Sequence, residues 1–211
     1  MKIKVPDFCY FFQDDVIFET SIGKGKTKNI NIGTLNLPSG KIVACDPFLP
    51  DTDPFVKEIP SGNYPVILNI VHYVDDGDER IGAAKIKFKN SRAIRWEMAL
   101  LDGQDLSKLE EDEIYGYPVN SGTGSFADQE TFRKYISILD DNPQYEDLLL
   151  AEMEKNYAPT RDWCNFEIDS SLNIIAFKSG LGDGFFPSYW GYDENNEVCC
   201  LVTDFGLFVD E

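Results

Sequence analysis

Apolar residues fall at every second position over long stretches of this chain, and that period of two predicts strands. The clearest stretch is ERIGAAKIKFKN, where Ala84, Ile86 and Phe88 point to one side and Lys85, Lys87 and Lys89 to the other. Upstream, TLNL, the turn Pro38-Ser39-Gly40 and KIVACDPF read as strand, turn and strand, with Pro47 ending the second. A second Pro-Ser-Gly turn at residues 60–62 launches YPVILNIVHYV, an apolar run long enough for a central strand, and Asp75-Asp76-Gly77-Asp78 reverses it. AIRWEMALL reads as a further strand, with Ile94, Trp96 and Met98 on one side. Residues 173–205, NIIAFKSGLGDGFFPSYWGYDENNEVCCLVTDF, organise the rest: a strand, a Gly-rich turn, an aromatic strand, a polar reversal at Glu194-Asn195-Asn196 and a last apolar strand.

The period changes to a helical one after residue 125. Phe132, Tyr135, Ile136 and Leu139 recur at helical intervals, and Ser125 and Asp128 stand at capping-box spacing with Asp in place of Glu. A second helix is predicted over about residues 143–157, with Pro143 in its first turn and a stripe of Tyr145, Leu149 and Met153. Residues 163–168 form a short strand. The expected fold is α+β, a mainly antiparallel sheet or sandwich with two helices on one face, in a single domain over residues 1–211 because no linker divides the chain. Residues 1–33 predict less: an aromatic cluster of Phe8, Tyr10, Phe11 and Phe12, then a small basic loop carrying Lys24, Lys26 and Lys28.

Charge narrows the partners. The chain has 37 acidic against 19 basic residues, a net charge of −18 and a pI near 4.3. Nucleic acid is a poor partner, because binding it needs cations that displace counterions from phosphates, and an anionic membrane surface is disfavoured for the same reason. A basic protein would be drawn in at a rate that falls with salt; simple solubility explains the acidity equally well. Five cysteines without C-x-x-C spacing imply a reducing compartment rather than a disulfide framework or zinc knuckle. Pro6 and Asp7 interrupt the N-terminal apolar residues before a signal peptide could form, and no apolar run reaches membrane-spanning length, so a cytoplasmic location is expected.

Candidate chemistry is sparse. His72 is the sole histidine and lies in an apolar run, so it reads as a packed sheet residue rather than a base. The turn Gly180, Gly182 and Gly184 around Asp183 is either a cradle for an anion or metal or a bulged hairpin turn; no helix follows it, which favours the turn. Residues 121–125 do run into a predicted helix and are the better anion-binding loop, though without nucleotide-loop spacing. The lysine row is either a small anion- or carboxylate-binding face or the outward face of an edge strand, and the second reading is preferred. Asp46, Asp128, Asp183, Asp193 and Asp204 stand at strand ends or turns, where carboxylates converge on divalent cations but where Asp also serves backbone hydrogen bonding.

LPSGKIVACDPF, PSGNYPV, RIGAAKIKF with its following W-x-x-A, GYPVNSGTGSF and SGLGDG...YWGYD...LVTDF occur in order, and over residues 37–205 the chain resembles the DUF4241 family of bacterial proteins. The resemblance implies a surface built from Asp46, the segment 122–124 and Gly182-Asp183-Gly184, and no reaction. Two functions are therefore expected. The first is an acidic protein-binding module, of the kind that neutralises a basic toxin or enzyme as an immunity protein does. It uses Asp183, Gly182, Gly184, Asp193, Asp46 and exposed aromatics at Tyr189, Trp190 and Tyr192, with no cofactor. The alternative is a metal-assisted hydrolase with Asp183, Asp193 and Asp46 as ligands.

Overall fold

A computed structural model of the chain describes residues 5–20 and 22–208. Two antiparallel sheets lie face to face. The larger has seven strands, in the spatial order β1 (Ile17–Thr20), β2 (Gly23–Leu37), β4 (Gly62–Tyr73), β5 (Glu79–Lys87), β13 (Val198–Asp204), β12 (Ser188–Tyr192) and β6 (Arg95–Met98). The smaller has four, in the order β3 (Ile42–Cys45), β8 (Thr123–Asp128), β10 (Leu172–Lys178) and β9 (Trp163–Asp169). A separate pair joins β7 (Tyr117–Val119) to β11 (Gly184–Phe186). The expected α+β class with antiparallel sheets is what the chain forms.

Strand alternation assigns each side chain to a layer. Phe126, Ile175 and Phe177 of the small sheet face Leu35, Val66, Leu68, Ile86 and Leu201 of the large one, forming the central core. The opposite face of the small sheet, with Val43, Ala127, Ile174 and Ala176, is covered by helices α2 (Gln129–Asp141) and α3 (Glu146–Glu154). Phe132 and Tyr135 of α2 and Leu149 and Met153 of α3 supply the cover, the stripes that the sequence predicts. On the outer face of the large sheet, the short helix α1 (Phe8–Phe11) and residues 207–208 close over Val71, Ala83, Tyr189 and Val202. Phe11 stacks on Phe208 at 4.0 Å between ring centres.

Several expectations change. Lys24, Lys26 and Lys28 lie on strand β2, which is 15 residues long, rather than in a loop. Residues 123–128 are a buried strand, so the Gly-rich segment does not enter a helix N-terminus and loses that basis for anion binding. Asp128 is itself the N-cap of α2, accepting from Glu130 N at 2.9 Å, and also receives Ser39 N and Ser39 Oγ. The lysine strand β5 lies between β4 and β13, so protection of a sheet edge does not explain its lysines.

Candidate functional site

The Gly-rich turn between β10 and β11 follows the end of the small sheet, closes on itself and is tied to the loop at Gly122. Ser179 N donates to Gly122 O at 3.0 Å, Gly182 N to Ser179 O at 2.7 Å, and Ser179 Oγ to Gly182 O at 2.8 Å. Gly184 and Phe186 are then held in register with Val119 and Tyr117. Two positions need glycine. Gly180 has φ +52, and a Cβ there would stand 2.9 Å from the Cβ of Phe205; Gly182 has φ +124 with open space around it.

Asp46 lies beneath this turn. Its buried carboxylate accepts from Phe48 N, Asn120 N, Ser121 N and Ser121 Oγ at 2.8–2.9 Å, fixing the loop that carries Gly122. A Cβ at Gly122 would meet the Cα of Gly182 at 3.6 Å and an Asp183 carboxylate oxygen at 3.9 Å. The structure thus brings together Asp46, the segment 122–124 and Gly182-Asp183-Gly184. Asp183 itself is exposed and, among the described residues, its side chain makes no hydrogen bond or ion pair. Beside it Leu181 is 53 % and Phe185 49 % exposed.

Other candidates fall elsewhere. Tyr189, Trp190 and Tyr192, expected as exposed aromatics, are buried, because β12 is an interior strand covered on both faces. Trp190 packs edge-on against Phe55, Tyr189 lies against Phe8, and Tyr192 lies under the guanidinium of Arg95 at 3.9 Å. Asp193 follows the far end of β12, with the five residues of that strand, roughly 16 Å, between it and Pro187. Its carboxylate accepts from Ser91 Oγ, Asn195 N and Glu197 N and closes the β12–β13 hairpin, and the Ser91 bond first among these holds it below the usual carboxylate range. Asp204 accepts from Gly206 N. The three carboxylates expected to share a cation are therefore not assembled, and among the described residues no three His, Cys, Asp or Glu side chains are grouped to hold a metal. His72, expected as a packed residue, is half exposed on β4, with Nδ1 3.7 Å from Glu79.

Sequence reasoning passed over Asp162. It lines a cavity of about 190 Å³ beside the turn, between the loop around Thr160 and Leu181. One of its oxygens is buried without a hydrogen-bond partner among the described residues, and burial pushes its carboxyl up, opposed by the charge of Lys178. An Asp inside RDW carries no motif that singles it out.

With this geometry in hand, comparison with known proteins adds the family. A family model described as "Protein of unknown function (DUF4241)" matches residues 35–203. The chain belongs to the DUF4241 family. No curated protein and no solved structure matches it. The DUF4241 match takes in Asp46, the segment 120–124, Asp162 and the whole turn from Ser179 to Phe186, whereas α1 and β1 lie outside it. Among the described residues no helix is long and apolar enough to cross a membrane.

Proposed function

We propose that this DUF4241 chain is a protein-binding module that docks a basic partner on the turn at residues 181–185, and that docking occludes the partner as an immunity-type inhibitor does. The observation that carries the reading is the exposure of Leu181, Asp183 and Phe185 at alternate positions of one short segment, on a backbone tied down through Ser179, Gly122 and the β7–β11 pair. An exposed aromatic and an exposed aliphatic around an unpaired carboxylate form a small apolar contact with a charge at its centre, and a turn that is already ordered loses little entropy on binding. The net charge of −18 supports a cationic partner, since it speeds encounter and disfavours acidic competitors. Phe185 takes the aromatic role first assigned to Tyr189, Trp190 and Tyr192. Five free thiols, four of them buried, support a reducing cytoplasmic setting.

The test is affinity capture from the host at low salt with wild type, Phe185→Ser and Asp183→Lys. One basic protein retained stoichiometrically by wild type and lost by both variants is the expected result. Equal retention by all three overturns the assignment of the turn. Both substitutions are at exposed positions, so thermal melts of the variants should overlay that of wild type.

A further inference from the structure

The lysine row of β5 faces a cavity of about 340 Å³ between α1 and the outer face of the seven-stranded sheet. Lys85, Lys87, Lys89 and Arg92 line it, and among the described residues no carboxylate does. In a chain with 37 acidic residues that segregation needs a cause. Lys89 and Arg92, at the rim, have partners: Glu197 at 2.7 Å and Asp7 at 4.0 Å. Neither Lys85 nor Lys87 has a carboxylate partner among the described residues. The Nζ of Lys85 stands 3.8 Å above the centre of the Phe12 ring, and burial holds its ammonium below the usual lysine range, with neighbouring Lys87 adding to the effect. Two half-buried ammonium groups on adjacent same-face positions of one strand repel each other, and among the described residues the Phe12 ring offsets only the charge of Lys85, with no carboxylate paired to either. A dianion between them would. Trp96 and Phe12 give the same cavity an apolar wall, and its volume lies near the lower end of small-ligand pockets, which span about 300–1,000 Å³.

We propose that this cavity binds a small organic phosphate, its phosphoryl oxygens held by Lys85 and Lys87 and its body against Trp96 and Phe12. Lysine suits phosphate as a mobile point charge that tolerates several oxygen positions. The site is independent of the turn at residues 181–185, since it opens on the opposite face of the large sheet from the central core. It joins family and non-family segments: the lysines, Trp96, Cys199 and Cys200 fall within residues 35–203, and Cys9 and Phe12 of the covering layer do not.

The test is calorimetric titration of the full chain with inorganic pyrophosphate and with AMP at fixed ionic strength, for wild type, Lys85→Met, Lys87→Met and, as a control on another strand, Lys28→Met. The expected result is saturable one-to-one binding of both probes, AMP the tighter because it reaches the apolar wall. Affinity should fall at least about tenfold in each of the first two variants and stay unchanged in the third. Methionine keeps the apolar stem, so the melting temperatures of Lys85→Met and Lys87→Met should not fall. As a second readout, either probe should slow alkylation of Cys9, the half-buried thiol that lines the cavity, and should not slow it in Lys85→Met. Absence of binding to wild type, or binding that Lys85→Met and Lys87→Met leave intact, overturns the proposal. Binding of pyrophosphate with no gain for AMP overturns the organic-phosphate assignment and leaves a simple anion site.

Discussion

Asp46 receives four donors from the fold itself. Its position at a strand end made it a candidate ligand, and the same position explains its actual work, which is to hold the loop at residues 120–121 under the Gly-rich turn. Asp46→Ala leaves buried N–H groups unpaired and should lower the unfolding free energy by about 3 kcal/mol, read from urea midpoints at constant m. A change within 0.5 kcal/mol would mean that water replaces the carboxylate. Asp162 behaves in the opposite sense. Burial raises its folded pKa, so the folded state holds the proton more tightly than the unfolded chain. The associated stability is present below the ordinary carboxylate value and is lost as pH rises through the folded one. Asp162→Asn should therefore become progressively more favourable relative to wild type as pH rises above about 4; parallel stability curves would contradict this. Residue chemistry was only partly legible in the sequence. The alternating aromatics of β12 identify a strand, but alternation alone does not say whether its second face meets solvent or another layer, so the burial of Tyr189, Trp190 and Tyr192 is not legible in the sequence.

Elements were legible where local pattern and tertiary pairing agree. The helices at residues 129–141 and 146–154 follow the stripes of Phe132, Tyr135, Leu149 and Met153. Strand β2 was legible only at its end, TLNL, because Gly23, Gly25, Gly33 and the asparagines at 29 and 31 interrupt the apolar alternation before it; its first part exists because β1 and β4 pair with it. The segment 121–125 resembled a helix-entry loop because Ser125 and Asp128 have capping spacing, whereas Asp128 alone caps and the residues before it pair with β3 and β10. Asn173 ties the two sheets together. Asn173 of β10 donates to Thr34 O at 2.8 Å and accepts from Asn36 N at 2.8 Å, both on β2, and also donates to Asn165 Oδ1. Asn173→Leu should cost about 3 kcal/mol, because Asn36 N and Thr34 O lose buried partners while leucine has no shape-matched space. Hydrogen exchange should then quicken at Asn36 before the rest of β2. Uniform exchange throughout β2 would show that the clamp is not local.

At the scale of the whole molecule, α+β class and antiparallel sheets could be read from pattern and length, but the strand order β1-β2-β4-β5-β13-β12-β6 could not. It places the last strand between the fifth and the twelfth, a pairing set by shared burial rather than by any local signal. That order has two consequences for function. It buries the aromatic strand, moving the exposed apolar contact to Leu181 and Phe185, and it turns the lysine row from an edge into the wall of a cavity. The net charge of −18 should govern the rate at which a cationic partner arrives while the turn governs how long it stays. The decisive measurement is the association and dissociation rate of the captured basic partner with wild type, Asp183→Lys and Phe185→Ser at low and high salt. The account predicts an association rate that falls steeply with salt for all three. It also predicts a dissociation rate raised at least about tenfold by Phe185→Ser, the size of one lost buried aromatic anchor. A salt-independent association rate, or dissociation unchanged by both substitutions, would contradict the central claim that this protein binds a basic partner through the turn at residues 181–185.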